Sequence, residues 1–311
     1  MAELSEPNRS GPLPGLTAGR KLSDHPEFEN LKQILIDGFV TTGFDKVTRV
    51  PLPHVVRDML SDDRIDEQIN EMRRYMPLEG KRILEVGSGC GALVTRARMA
   101  YGLDIYGIEP SVNEFTATLD VGKRLLSHFD LPADALRDAF GENIPFPDEQ
   151  FDMVYSSNVL EHVQSPQDVI SEALRVLKPG GILLFVVPNY GSWWEGHYGI
   201  LWVPHLPAWL AKIYVRMLGR DPHYIDTLNL LSKGRIEKLL QPFASKVEVL
   251  DWGFSVFEER LRGLGFSGWA ALANARKIAE LVHKLRLVEP AIALSRMCHW
   301  ETPLVLAVRK K

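Results

Sequence analysis

Cysteine is scarce in these 311 residues: only Cys90 and Cys298 occur, far apart along the chain. That excludes a disulfide scaffold and a cysteine-rich metal site, and it fits a reducing cytoplasm. An excess of one charge sign is missing too, since 36 basic residues face 40 acidic ones for a net charge of -4. No global field exists to hold a polyanion, so nucleic acid is not an expected partner. Long hydrophobic runs are lacking as well. The most apolar stretch, Tyr198 to Leu210, is about a dozen residues long and holds two prolines and a histidine, too short and too interrupted to cross a bilayer. Met1 to Lys21 has no apolar run of the secretory kind, and residues 1–27 read as a disordered tail. With 45% hydrophobic and 24% charged residues, the chain has the composition of an ordinary globular protein and the length to bury a substantial core.

What is present is organised around glycine. Arg82 to Val86 is a short apolar run that leads into Gly87-Ser88-Gly89-Cys90-Gly91-Ala92, followed by Leu93 and Val94. The pattern predicts a strand, a glycine loop and a helix. Glycine is needed because the backbone turns sharply and a ligand must approach without meeting side chains, while free N–H groups at the helix start favour electron-rich groups. The spacing also matches a dinucleotide fingerprint, so the loop by itself leaves the cofactor open. Asp104 to Ile108 predicts a second strand ending in Glu109-Pro110, with Ser111 and Glu114 as a capping box for the next helix. A carboxylate at such a strand end can accept hydrogen bonds from both ribose hydroxyls of an adenosine ligand.

Further along, Gly141 to Asp148 forms a loop before the apolar strand Phe151 to Ser156, and Asn158-Val159-Leu160-Glu161-His162-Val163 closes it. Ser165-Pro166-Gln167-Asp168 opens a helix, Lys178-Pro179-Gly180-Gly181 stops it, and Ile182 to Val187 is a continuous run suited to a central parallel strand. In this order the motifs resemble those of the class I S-adenosylmethionine-dependent methyltransferases, in particular the branch that includes quinone-biosynthesis and other small-molecule enzymes. The resemblance runs from Glu79 to Asn189. It implies a Rossmann-like α/β fold, a seven-stranded sheet of order 3-2-1-4-5-7-6 with helices on both faces, and S-adenosylmethionine as cofactor. It also implies that Glu85, Gly87, Ser88, Gly89 and Gly91 surround the amino acid part of the cofactor, and that Glu109 and Pro110 hold its ribose. Phe140, Gly141 and Glu142 then contact adenine, and Asn158 lies near the transferable methyl. Asp138-Ala139 fits the family's adenine position only with two residues inserted.

If the acceptor atom is a hydroxyl oxygen, a base must take its proton. The candidates are His197, in the loop after the fifth strand, and His162, in the turn after the fourth. The ordinary reading of His162 is a hydrogen-bonded packing residue. Trp193, Trp194, Glu195 and Tyr198 share the His197 loop and are expected to face the substrate; His205, His223 and Asp226 are weaker candidates. His197 and His205 lack a third ligand of compact spacing, so no metal is expected. Cys90 is a small residue that fits the glycine loop.

Residues 28–78 read as a helical extension, and 79–311 as the methyltransferase domain with insertions at 190–235 and 254–297. The first insertion holds Trp193, Trp194, Trp202 and Trp209, and Tyr198 to Met217 mixes apolar residues with Lys212 and Arg216. Two readings stay open: the core of a helical cap, or an interfacial helix in peripheral contact with the inner face of a membrane. Both favour a small or lipid-linked acceptor with a sizeable hydrophobic part, methylated at oxygen. The alternatives are carbon or nitrogen transfer to a quinone-like or natural-product ring, and an inactive cofactor-binding scaffold. The oligomeric state is not legible.

Overall fold

A computed structural model describes residues 19–112, 116–265 and 273–311. Its centre is a seven-stranded sheet built from β1 (Arg82–Val86), β2 (Asp104–Glu109), β3 (Leu136–Asp138), β4 (Phe151–Ser157), β5 (Leu177–Val187), β8 (Val247–Asp251) and β9 (Leu304–Lys310). The order is β3-β2-β1-β4-β5-β9-β8, with β1 to β5 parallel and β9 antiparallel to both of its neighbours. This is the expected 3-2-1-4-5-7-6 topology. The numbers of the last two strands differ because a short separate hairpin, β6 (Trp194–Glu195) and β7 (Ile200–Leu201), comes between them.

The sheet sorts its side chains to two faces because consecutive strand residues point in opposite directions. Ile83, Ile105, Tyr155 and Leu184 enter a core shared with α1 (Phe28–Thr41), α3 (Asp62–Arg73), α4 (Ala92–Tyr101) and α5 (Thr116–His128). Leu84, Ile108, Val154 and Leu183 enter the opposite core, with α6 (Pro166–Val176) and α8 (Lys233–Leu240). Each fully buried aliphatic side chain contributes roughly 1.5–3 kcal/mol, which is why the apolar runs dictate which strands are central. A further short helix, α2 (Leu52–Met59), joins α1 to α3.

The 190–235 segment has a core of its own. Tyr190, Tyr198, Trp202 and Ile225 pack there against α7 (Ala208–Met217), which contributes Ala211 and Val215. The 254–297 segment adds α9 (Phe254–Gly263), α10 (Ala273–Lys284) and α11 (Val288–Cys298), held around Phe257, Leu261, Ala279 and Ile292.

Some expectations shift. Residues 19–27 are not a disordered tail: a short 3-10 turn spans Leu22–Asp24, and Leu22 is fully buried in the core beneath the sheet. An isolated leucine among polar residues carries no periodic signal, which is why it was missed. Residues 1–18 of that tail, Glu114 of the proposed capping box and residues 266–272 of the second insertion lie outside the described residues. Lys178-Pro179-Gly180-Gly181 is not a separate stop. The helix ends at Val176, and these residues enter β5 through a register shift between the Phe151 and Met153 pairings. Among the described residues, no helix is long and apolar enough to cross a membrane.

Candidate functional site

The glycine loop closes directly on β2. Gly87 and Ser88 donate their backbone N–H groups to the Ile108 carbonyl, at 2.9 and 3.0 Å. Gly87, Gly89 and Gly91 take φ values of 74°, 52° and 65°, the left-handed region that disfavours side chains. At Gly87 an added Cβ would sit 2.2 Å from Val159, whereas at Gly89 it would meet nothing within 4 Å. The loop is packed on one side and open above Gly89.

Two acids flank that opening. Glu109, at the end of β2, accepts from the Gly89 N–H at 2.9 Å and from the Thr118 hydroxyl at 3.2 Å. Burial raises its pKa to about 7 against these bonds. Glu85, in β1, is buried, and its Oε2 has no hydrogen-bond partner among the described residues. Burial first, and the Glu109 charge second, push its pKa up to about 8. The Ser88 hydroxyl is likewise buried without a hydrogen-bond partner among the described residues. Asn158 directly follows β4 with a φ of 55°, its N–H donated to the Val186 carbonyl and its amide to the Ser157 hydroxyl. Burial pushes the Cys90 thiol up to about 12, which leaves it unreactive.

The loops after β4 and β5 meet at the same carboxyl edge of the sheet and bring together four titratable groups. His197 Nδ1 lies 2.7 Å from Glu195 Oε1, and its Nε2 lies 3.2 Å from His162 Nε2. Glu161 Oε1 lies 3.8 Å from the Nε2 atom of each histidine. The Glu161 carboxyl is completely buried, and neither of its oxygens has a hydrogen-bond partner among the described residues. Burial raises Glu161 to about 7 despite the attraction of His197. Burial, reinforced by His197, lowers His162 to about 3. Burial also lowers His197, but the charge and hydrogen bond of Glu195, with Glu161 behind them, raise it more.

The two expected histidines are therefore neighbours, and the third group beside them is Glu161 rather than His205. The substrate-facing residues fare differently. Glu195 is buried and engaged: besides His197 Nδ1 it accepts from the His197 and Tyr198 N–H groups. Tyr198 is fully buried in the cap core and donates its hydroxyl to the Asp221 carbonyl. Trp194 is buried as well. These three form the floor of the loop, and Trp193 is the half-buried member of the set.

Of the adenine candidates, Glu142 accepts from the Gln164 and Ser165 N–H groups at 2.9 and 3.3 Å, so it fastens the turn before α6. Phe140 is exposed and Gly141 half-buried, next to Val86. Pro110, next to Glu109 on the chain, is half-buried, and the Asp138 carboxylate accepts from the Ser111 N–H at 2.8 Å. Asp226 forms an ion pair with Lys212 at 2.5 Å on the surface.

Residues 84–185 match a family described as a methyltransferase domain. The chain carries a class I S-adenosylmethionine-dependent methyltransferase domain. An uncharacterized methyltransferase of Mycobacterium leprae is 38% identical over 117 residues, which cover 38% of this chain and 39% of that protein. One of Mycobacterium tuberculosis is 38% identical over 117 residues, covering 38% and 42%. The match thus spans about two fifths of these curated relatives' length. Among solved structures, geranyl diphosphate C-methyltransferase from Streptomyces coelicolor is 16% identical, with a TM-score of 0.46 over 80% of this chain and 84% of that one.

The methyltransferase domain's own atoms suit its cofactor, S-adenosylmethionine. An ammonium and ribose hydroxyls are donors, and what surrounds the opening is a buried carboxylate oxygen and a buried hydroxyl without hydrogen-bond partners among the described residues, and a second carboxylate with one donor on each oxygen. The free volume above Gly89 is where backbone can be approached closely.

Proposed function

We propose that the chain transfers a methyl group to an oxygen of a lipid-like acceptor collected at a membrane surface, as a cytoplasmic enzyme bound peripherally to the inner face. The observation that carries this reading is the outer face of α7. Trp209, Ile213 and Met217 are four residues apart and 64%, 51% and 81% exposed, on a helix that also carries Lys212 and Arg216. Leu201 and Val203 extend the patch, 54% and 50% exposed. A cap core explains Trp194 and Trp202, which are buried, but leaves this apolar face without an intramolecular role. Apolar residues edged by cations are the chemistry of a helix that lies in the interface of an anionic bilayer.

When bound, S-adenosylmethionine supplies an electrophilic methyl on a sulfonium. Glu85 and Glu109 would hold the donor groups of that molecule, and the Gly87 to Gly91 loop would keep side chains out of its path. The cap would keep water from the methyl, and Asn158, just after β4, would lie near it. The proton of an acceptor hydroxyl falls to the cluster of Glu161, His162, His197 and Glu195, where Glu195 orients the His197 ring.

Flotation with vesicles of mixed neutral and anionic lipid tests the surface. The protein is expected to float at low salt, and Trp209→Ser with Met217→Ser is expected to stay in the dense fraction with cofactor binding intact. Equal flotation of both, or of neither, removes the membrane from the reading. For the chemistry, His197→Ala is expected to abolish product formation against hydroxylated lipids while binding of S-adenosylhomocysteine persists.

A further inference from the structure

We propose that Glu161, His162 and His197 form a binding site for a divalent first-row transition ion, with zinc as its representative. The inference deepens the reading above, since it names how that cluster would engage an acceptor oxygen, and it rests on that reading for its purpose but not for its geometry. Three donor atoms converge: the Nε2 atoms of the two histidines are 3.2 Å apart, and each lies 3.8 Å from Glu161 Oε1. The point equidistant from atoms at those separations lies about 2.1 Å from each, the length of a zinc–nitrogen or zinc–carboxylate bond. Two imidazoles and one carboxylate are also the donor types that such ions prefer.

A second, independent observation points to a missing cation. Glu161 is fully buried, and both of its oxygens lack a hydrogen-bond partner among the described residues. An unpaired buried carboxylate of that kind is costly, and a cation between it and the imidazoles removes the cost. The orientation of His197 is set for ligation. With Nδ1 donating to Glu195 Oε1 at 2.7 Å, the lone pair of Nε2 faces the other two donors, as in the carboxylate–histidine–metal arrangement of outer partners. Asn229 fixes the turn that carries Glu161 and His162, donating its N–H to the Glu161 carbonyl and its amide to the Val163 carbonyl, each at 2.7 Å.

Three protein ligands leave a tetrahedral ion one position for water or an acceptor oxygen; the loaded cluster would then acidify the bound hydroxyl, whose proton would pass to water and not to the ligating atoms. The His162 side chain, 24% exposed, marks the accessible side, whereas Glu161 closes the opposite one. The cluster was invisible to sequence spacing because His162 and His197 lie 35 residues apart on two loops.

The test uses the full chain, freed of metal by chelation and titrated with Zn2+ alone and with Co2+ alone. One ion per chain, with a Co2+ visible spectrum of the intense four- or five-coordinate type, is the expected result and requires no variant. Glu161→Gln, His162→Ala and His197→Ala should each weaken binding by at least about tenfold, the lower end of what loss of even an outer partner costs. His54→Ala, on the exposed side of α2, should leave it unchanged. Calorimetry with S-adenosylhomocysteine on the same samples reports folding and cofactor binding separately. Substoichiometric binding, a spectrum of the hexaaquo type, or equal affinity in all three variants overturns the metal site. If the homocysteine product still binds in that case, the cofactor reading stands without it; if the ion binds and the product does not, the reverse holds.

Discussion

Glu85 sits where burial and the charge of Glu109 both oppose its ionisation, and Glu109 is itself raised by burial. Both acids have folded pKa values above their ordinary ones, so the folded protein holds protons that the unfolded chain has already released. Stability of the ligand-free protein is therefore expected to fall as pH rises from about 4.5 to about 8, because the native state binds more protons in that window. Donors from the cofactor reverse the preference. S-adenosylhomocysteine should bind several-fold tighter for each unit between pH 6 and pH 8, a tenfold change per unit being the limit for one proton released, about 1.4 kcal/mol. Calorimetry in two buffers of different ionisation heat counts the protons released; an affinity flat with pH, and equal heats in both buffers, would contradict the pairing of Glu85 with a donor.

The glycines separate fold from function at the same scale. Gly87→Ala drives a methyl into Val159, so it is expected to cost at least about 2 kcal/mol of stability in chemical denaturation. Gly89→Ala meets open space and carries the left-handed strain, about 1 kcal/mol, yet fills the approach to the backbone. It should cost folding no more than that strain and weaken S-adenosylhomocysteine binding by roughly tenfold or more, about 1.4 kcal/mol. Comparable loss of stability in both variants would dissolve the distinction. The places of Glu85 and Glu109 near strand ends and of the three glycines in the turn were legible in the sequence, because each belongs to a local strand or turn signal. Glu161 was quoted in a motif and still missed, because what matters about it is burial beside a histidine from another loop.

Elements were legible where periodicity is strong. The β1 and β5 runs and the Ser165 cap of α6 are local signals, and Ser165 Oγ does accept from the Asp168 N–H. The role of the connection after β5 was not, since it depends on contacts more than a hundred residues away. Asn189 is fully buried there. Its amide donates to the His299 and Glu301 carbonyls at 2.9 and 2.7 Å, and its oxygen accepts from the Gly191 N–H at 2.9 Å. That single side chain fastens the start of the cap to the segment between α11 and β9. Removing it strands buried carbonyls, so Asn189→Ala should lose at least about 2 kcal/mol. Asn189→Asp is expected to do no better, because it sets a carboxylate against two carbonyl oxygens. Wild-type stability in the aspartate variant would show that the amide does not hold the two elements together.

At the scale of the whole molecule, the chain has two cores on either side of one sheet and separate cores in its insertions. Alternating strands and helices announced a parallel sheet, and the family resemblance supplied its strand order. The insertions did not, because helical cap cores share their composition with surface helices and differ only in what packs on them: Trp202 is buried and Trp209 exposed within one segment. A ligand held at the carboxyl edge, between the glycine loop and the strand that follows it, ties the sheet's folding to its own binding. S-adenosylhomocysteine at a hundred times its Kd adds about 2.7 kcal/mol to the native state by mass action. For a chain of this length that corresponds to a rise in Tm of about 3 to 6 °C, while NADH should produce none. The shift should shrink in Gly89→Ala and persist in the Trp209→Ser, Met217→Ser variant, since one alters the cradle and the other a surface on the far side of the cap core. A shift that vanished with the surface variant, or that NADH matched, would place the ligand's grip somewhere other than the carboxylates at the ends of β1 and β2.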